Sequence, residues 1–196
     1  IAITINKLEL LMEDETLSQA QLQQLSGAKA SLIRMATLNK SLLTLARIEN
    51  RQYEEISPIC FASLLRTLIE EYQDLIAFKE ITLSITEKSP FSVQMNKDLA
   101  VILLSNLLRN AIKYTYPKGK ILIEIDKHVF SIANEGKPTP LDADKIFKRF
   151  HKGEQDSTST GLGLAIVKSI VDLYQHIRLQ YVYKEEKHTF LIFNYQ

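Results

Sequence analysis

The first fifty residues carry apolar side chains at the spacing of two amphipathic helices. The first pattern runs to a polar turn at residues 13–16, with apolar positions at Ile1, Ile5, Leu8 and Met12. A longer pattern from Ser18 to about Asn50 has an apolar seam at Leu25, Leu32, Met35, Leu38, Leu42 and Leu45. One stripe on each of two helices predicts an antiparallel hairpin. We expect a second copy of the chain to cover this seam in a homodimer; packing onto the following domain is the alternative.

The pattern changes after the polar stretch 51–57, where Pro58 disfavours helix in the residue before it. Helical spacing follows at 59–79, 96–115 and 162–174, and strand alternation at 81–85, 91–94, 120–126, 128–134, 177–183 and 188–194. This order predicts an α+β domain with one mixed sheet covered on one face by helices. The expected organisation is a hairpin at 1–50, a linker at 51–57 and a mixed domain at 58–196.

Composition narrows the classes of function. The chain has 196 residues, of which 45% are hydrophobic, and this suffices for a real core. A net charge of +1 gives no general attraction to nucleic acid, so no nucleic-acid partner is expected. The single cysteine, Cys60, excludes an internal disulfide and a thiolate metal cluster. No apolar run approaches the roughly 18 residues of a membrane span. Because the chain starts at Ile1 within a helical pattern, we expect it to be part of a longer protein.

The segment at residues 96–115 places two asparagines in an otherwise apolar helix. Leu99, Leu103, Asn106, Asn110 and Lys113 follow steps of four, three, four and three, so they share one helical face. A buried asparagine needs a hydrogen-bond partner or a ligand. Asparagine oxygen suits Mg²⁺ that already carries a polyphosphate, and Lys113 could meet a phosphate oxygen. The alternative is two core asparagines that bond to neighbouring backbone.

Glycines are scarce and concentrated. Four of the six, Gly136, Gly153, Gly161 and Gly163, fall between residues 136 and 163. Glycine permits close approach of a ligand, so this segment is predicted to bind one. The polar loop at 148–160 lacks periodicity and is predicted to be a mobile lid. The segment 161–165 leads directly into a helix, whose first amides favour a phosphate.

Four motifs in these regions resemble those of a known family. NxxxNAxKY at 106–114, NxG at 134–136, IFxRF at 146–150 and GLGLAIVK at 161–168 resemble the N, G1, F and G2 boxes of sensor histidine kinases. The resemblance covers residues 58–196 as the ATP-binding catalytic domain, of the type shared with DNA gyrase B subunits, heat-shock chaperones and MutL proteins. It implies a mixed-sheet α/β sandwich. Residues 1–50 resemble the later part of the dimerisation and phosphotransfer hairpin.

The resemblance assigns roles to individual residues. Asn110 would ligate Mg²⁺, Asn106 would support it at the phosphates, Lys113 would contact phosphate, and Tyr114 would flank the nucleotide. The other ATP-binding positions that it implies are Asn134, Gly136, Lys152, Gly161, Leu162, Gly163, Leu164 and Thr189.

Three residues depart from the pattern of the family. Asn134 stands where an aspartate usually accepts a hydrogen bond from the adenine amino group; its amide oxygen can still accept that bond, but without charge assistance. Pro138 replaces the second G1 glycine. Lys152 replaces an arginine and keeps its charge but not its bidentate fork.

The family's phosphoacceptor motif, a histidine followed by an acidic residue and shortly by Thr-Pro, is absent. His128, His151, His176 and His188 all lie outside the hairpin, so each is expected to be a surface or packing residue. The resemblance implies that the γ-phosphoryl group of ATP passes to a histidine upstream of this chain and then to the receiver domain of a response regulator. This chain alone is not expected to autophosphorylate. It would be the cytoplasmic portion of a protein in the bacterial inner membrane.

Two other functions remain open on the sequence. An ATP-driven switch of the gyrase or chaperone kind would need a carboxylate to activate water in the helix that bears the asparagines. Asn106 and Arg109 offer no such base there. A dimerising adaptor with a decayed nucleotide pocket is the third hypothesis, favoured by Asn134 and Pro138.

Overall fold

The computed structural model describes residues 1–152 and 159–195, and it begins with the predicted hairpin. Helix α1 spans Ala2–Met12 and helix α2 spans Gln19–Glu49. Ser18 caps α2, because its hydroxyl accepts from the Gln21 N–H while the Gln21 side chain accepts from the Ser18 N–H. Lys29 and Glu9 form an ion pair of 2.7 Å between the helices. In the described residues no helix is long and apolar enough to cross a membrane.

The final turns of α2 pack onto the rest of the chain. Leu45 and Ile48 are each 1% exposed and belong to the main hydrophobic core. Beside them, Glu49 forms an ion pair with Arg149. Contact with the following domain, the alternative in the sequence analysis, is therefore present at this end of the hairpin, while dimerisation stays a prediction.

The described residues contain seven strands, which form two sheets. The five-stranded sheet has the order β2-β4-β5-β7-β6, with β2 parallel to β4 and the other pairs antiparallel. Its strands are β2 (Thr82–Glu87), β4 (Lys120–Asp126), β5 (Val129–Glu135), β6 (Ile177–Lys184) and β7 (Lys187–Asn194). The remaining two strands, β1 (Ser57–Cys60) and β3 (Ser92–Met95), pair antiparallel in a small separate sheet. The α+β fold is confirmed.

The prediction of a single sheet was wrong, because β3 leaves the main sheet to pair with a strand that the sequence analysis missed. Strand β1 is only four residues long, and it spans the end of the predicted linker at 51–57 and the start of the predicted helix at 59–79. That helix is itself divided into α3 (Phe61–Glu71) and α4 (Gln73–Phe78), since Tyr72 has φ −103° and ψ 6°. A short apolar strand next to a helix has no periodicity of its own that would separate the two.

Helix α5 (Lys97–Tyr114) is the central helix of the fold, and α6 (Gly163–Asp172) packs beside it. The apolar face of α5 is fully buried, with Leu99, Leu103 and Leu107 in the core. Asn96 caps its start by accepting from the Leu99 N–H at 3.1 Å, and the Asn96 N–H donates to the Tyr174 hydroxyl at 3.0 Å. The predicted helix at 96–115 is confirmed.

Lys79 holds the end of α5. Its ammonium donates to the carbonyl oxygens of Ile112 at 2.8 Å, Lys113 at 3.0 Å and Thr115 at 2.6 Å. These carbonyls belong to the last turn of a helix, where intrahelical partners run out. The three N–H groups of the ammonium therefore donate to three carbonyl oxygens. Partial burial lowers the pKa of the Lys79 ammonium from its ordinary value.

We predict that Lys79→Met lowers the free energy of unfolding by about 2 kcal/mol. The three carbonyl oxygens lose a charged donor, and water does not fully replace it because the region is partly buried. Urea denaturation measures the change. Lys118→Met is the matched control, since this ammonium is exposed and lies 3.7 Å from Glu80; its effect should stay below about 0.5 kcal/mol. Equal effects of the two substitutions would contradict the role given to Lys79.

Candidate functional site

A cleft of about 490 Å³ lies between α2, α5 and the beginning of α6. Helix α5 lines one wall with Asn106, Arg109, Asn110, Lys113 and Tyr114. On the predicted face of α5, Leu99 and Leu103 therefore lie in the core, and Asn106 and Asn110 lie at the cleft. Arg109 joins this group in addition to the residues predicted from helix spacing.

The two asparagines differ in their bonding. The Asn106 amide nitrogen donates to the Ile102 carbonyl at 2.8 Å, and its oxygen accepts from Arg109 at 3.1 Å. This bonding to neighbouring groups of α5 is what the core-asparagine alternative described. Asn110 is half-buried, and its amide has no hydrogen-bond partner within residues 1–152 and 159–195. Asn110 therefore has its oxygen available to a ligand from outside the chain.

The glycine segment lines a second wall, with Ser159, Thr160, Gly161, Gly163 and Leu164. Gly161 has φ +69°, and a Cβ there would lie 2.7 Å from the carbonyl carbon of Phe150. A Cβ on Gly163 would lie 3.1 Å from the Asn106 amide oxygen. Both glycines thus permit contacts that bring the F and G2 motifs and α5 together.

Two predicted site residues on this side of the fold lie outside the cleft lining. Leu162 is fully buried below it, in the core. Lys152 is exposed and lies outside the lining, whereas the neighbouring His151 is part of it. Gly153 and the rest of the predicted lid up to residue 158 lie outside the described residues.

Asn134 and Gly136 form a second region at the end of β5. Asn134 is 2% exposed, and its amide nitrogen makes one long contact, 3.4 Å, with the Glu135 carbonyl. A Cβ on Gly136 would lie 2.9 Å from the Tyr114 carbonyl oxygen, so this region abuts the end of α5. Thr189 lies on the adjacent strand β7, opposite Ala133. None of these three predicted residues lines the cleft itself.

His188 connects the loop after Gly136 to the closing hairpin. It lies opposite Asn134 and is buried, as expected of a packing histidine. Its Nε2–H donates to the Lys137 carbonyl at 2.8 Å, so Nδ1 accepts from the Tyr181 hydroxyl, also at 2.8 Å. The Tyr181 oxygen accepts in turn from the Leu141 N–H at 3.0 Å. Burial raises the pKa of Tyr181, opposed by the hydrogen bond from Leu141.

The charge of the cleft is one-sided. The basic side chains of its described lining are Arg34, Arg109, Lys113 and His151, and no aspartate or glutamate belongs to that lining. Basic side chains that line one cavity create a positive potential there, which attracts an anion. The cleft is therefore suited to a polyanionic ligand.

Comparison with known proteins supports the resemblance in the four motifs. The family model described as "Histidine kinase-, DNA gyrase B-, and HSP90-like ATPase" matches residues 95–195, just over half of the chain. The chain belongs to this ATPase family. Its matched part contains α5, α6 and strands β4 to β7, and so holds most of the cleft.

The chain is also similar to individual sensor proteins and histidine kinases. It is 30% identical over 178 residues to the heme sensor protein HssS of Staphylococcus aureus strain Newman, covering 88% of this chain. The catalytic domain of histidine kinase ThkA has a TM-score of 0.63 at 25% identity, covering 70% of this chain and 93% of that one. ThkA in complex with the response regulator protein TrrA shares the fold, with a TM-score of 0.68 at 19% identity, covering 100% of this chain and 60% of that one.

The chain spans about 38% of the length of HssS and its relatives from other strains. The residues before the matched family region, which include the hairpin, are covered in the comparison with ThkA bound to TrrA. These findings favour a catalytic domain of the sensor histidine kinase type over the gyrase-like and adaptor alternatives.

One wall of this cleft was not predicted from the sequence. Ala30, Ile33, Arg34 and Thr37 of α2 line it, although their helix was assigned to dimerisation. Their spacing of three, one and three residues puts them on one helical face, which was the signal available in the sequence. What they face depends on how the hairpin folds back, which spacing does not determine.

We predict that Gly161→Ala lowers the free energy of unfolding by about 1 to 3 kcal/mol, because it combines a strained positive φ with a backbone collision. The displaced segment should also weaken ATP binding. Gly27→Ala is the control, since no described atom lies within 4 Å of a Cβ there and the residue is inside α2. This control should instead stabilise the protein by about 0.5 to 1 kcal/mol. If both substitutions shifted the denaturation midpoint in the same direction, the proposed backbone constraint at Gly161 would be contradicted.

Proposed function

We propose that this chain binds Mg²⁺–ATP in the cleft and is the catalytic portion of a sensor histidine kinase that transfers the γ-phosphoryl group to a histidine. The single observation that carries this proposal is the basic cleft with the Asn110 amide in its wall, which has no hydrogen-bond partner among the described residues. Basic side chains match the phosphates, and an amide oxygen is a suitable ligand for a magnesium ion that reaches the site with its nucleotide.

The positions of these residues support one orientation of the bound nucleotide, with the base at the Asn134 end and the triphosphate at the α6 end. The base lies near Asn134, Gly136 and Thr189, where Asn134 offers an amide oxygen to the adenine amino group. The triphosphate then follows α5 from Tyr114 towards Asn106, past Lys113, and ends at the first amides of α6. The partial positive charge at the start of that helix stabilises the phosphate there. Lys152 and the segment 161–164 complete the proposed site.

Asn110 would hold Mg²⁺ together with phosphate oxygens. In the described part of the chain no group of three His, Cys, Asp or Glu could form a metal centre, so the protein itself offers few ligands. This fits an ion that keeps several waters and binds through its substrate. Mg²⁺ would neutralise charge on the transferred phosphoryl group, while Lys113 and the α6 amides position the phosphates.

A carboxylate base for water is missing from the appropriate part of α5. Asp98, in the first turn, is the acidic residue of this helix, and the cleft begins two turns later at Asn106. This supports phosphoryl transfer to another group rather than ATP hydrolysis that drives a switch.

The proposed partners follow from the same assignment. The acceptor histidine would lie on a segment upstream of residue 1, and the phosphoryl group would pass from it to the receiver domain of a response regulator, the class of protein bound to ThkA in the comparison structure. Residues 1–50 would complete a dimeric phosphotransfer bundle, 51–57 would link it to the catalytic domain at 58–196, and the parent protein would be anchored in the bacterial inner membrane.

We predict that Asn110→Ala removes the gain in ATP affinity that Mg²⁺ provides, a loss of about 10- to 100-fold, because a metal ligand is deleted. Isothermal titration of ATP with and without Mg²⁺ measures it. Asn39→Ala, the same substitution at an exposed position of α2, should leave affinity unchanged. A loss of several kcal/mol in stability with unchanged binding would instead support the core-asparagine alternative.

The kinase function is tested with ATP labelled at the γ-phosphate. This chain should acquire no acid-labile phosphate, because its histidines lie outside the hairpin. Extending the same chain upstream with the segment that carries the acceptor histidine should restore labelling, and Asn110→Ala in that longer protein should abolish it. Acid-labile phosphate on the present chain would contradict the proposal, since the acceptor would then be one of His128, His151, His176 or His188.

A further inference from the structure

We propose that helix α2 takes part directly in nucleotide binding, and that Arg34 contacts the phosphates from the hairpin side of the cleft. This inference rests on the proposed ATP binding and adds a binding residue from outside the matched family region. The four motifs of the catalytic domain do not include it.

The first observation is the face that α2 presents. Ala30, Ile33, Arg34 and Thr37 all line the cleft opposite α5 and the beginning of α6. Arg34 is the charged member of this set. Ile33 is 46% exposed on the same face, so the described residues leave it only half covered. The face thus combines one cationic side chain with apolar surface that a bound ligand could cover.

The second observation is how firmly α2 is held there. Leu38, one turn beyond Arg34, packs against the hydrophobic core, and Leu45 and Ile48 are buried within it. These positions are seven and three residues apart, so a continuous side of the helix is fixed to the catalytic domain. The Glu49–Arg149 ion pair adds a contact with the F motif. The backbone at Arg34 is consequently placed by packing rather than by a loop.

The third observation is electrostatic. Arg34 joins Arg109, Lys113 and His151 around a space whose described lining has no carboxylate. Arginine presents several N–H donors in a planar fork that suits phosphate oxygens. A polyphosphate would therefore be held from two opposite walls.

This geometry links nucleotide binding to the position of the hairpin. If Arg34 contributes to ATP affinity, any movement of α2 away from the cleft weakens binding. By linkage, bound ATP favours the hairpin position described here by the same factor. Residues 19–49 would then be part of the nucleotide site as well as a scaffold.

The test is Arg34→Gln, compared with Arg47→Gln, which makes the same charge change on the same helix at an exposed position outside this cleft. Mg²⁺–ATP affinity is measured by calorimetry, and adenosine affinity by competition with a fluorescent ATP analogue. We expect Arg34→Gln to weaken Mg²⁺–ATP binding about ten-fold, equivalent to about 1.4 kcal/mol. Adenosine, which lacks phosphates, should bind within about two-fold of the unaltered protein, and Arg34→Lys should recover part of the loss.

The outcomes separate this inference from the proposed function. If the unaltered chain fails to bind ATP, the proposed function itself is wrong. If it binds ATP and Arg34→Gln behaves like Arg47→Gln, the role of Arg34 is overturned while the function stands. Equal losses for ATP and adenosine would also overturn it, because they would indicate displacement of α2 rather than loss of a phosphate contact.

Discussion

Burial of the apolar face of α5 is the constraint on which the site depends. Leu99, Leu103 and Leu107 fix the helix in the core, so the side chains that follow on the same face emerge at the cleft. Both ends are held by hydrogen bonds, with Asn96 and Tyr174 at the start and Lys79 at the end. A helix fixed along its length and at both ends places Asn110 and Lys113 with little freedom, which favours binding without a large ordering cost.

The glycines let other segments of the chain pack closely against or beside α5. Gly161 and Gly163 let the backbone approach Phe150 and Asn106 at distances that a Cβ would prevent. Gly136 does the same next to the Tyr114 carbonyl oxygen. Three segments that are distant in sequence thus meet along one helix. The conformational entropy that glycine loses on folding is the cost of this approach, and burial in the surrounding core offsets it.

The unequal bonding of Asn106 and Asn110 shows why both interpretations of the pair had merit. Asn106 bonds within its own helix, to the Ile102 carbonyl and to Arg109, whereas the Asn110 amide has no partner among the described residues. Their spacing of four residues places both asparagines on one face of α5, so the sequence does not distinguish their roles. Neighbouring side chains make them different, since Arg109 reaches Asn106 and nothing in the described part of the chain reaches the Asn110 amide.

The sequence by itself determined the hairpin, the α5 face, the β4–β5 and β6–β7 hairpins and the four motifs, because these depend on local periodicity, turns and glycine positions. It did not determine that β3 pairs with β1, or that α2 turns Arg34 towards the cleft. Those features depend on which distant surfaces bury each other. A helix face or a four-residue strand has the same pattern whatever it packs against, so only the tertiary structure decides its partner.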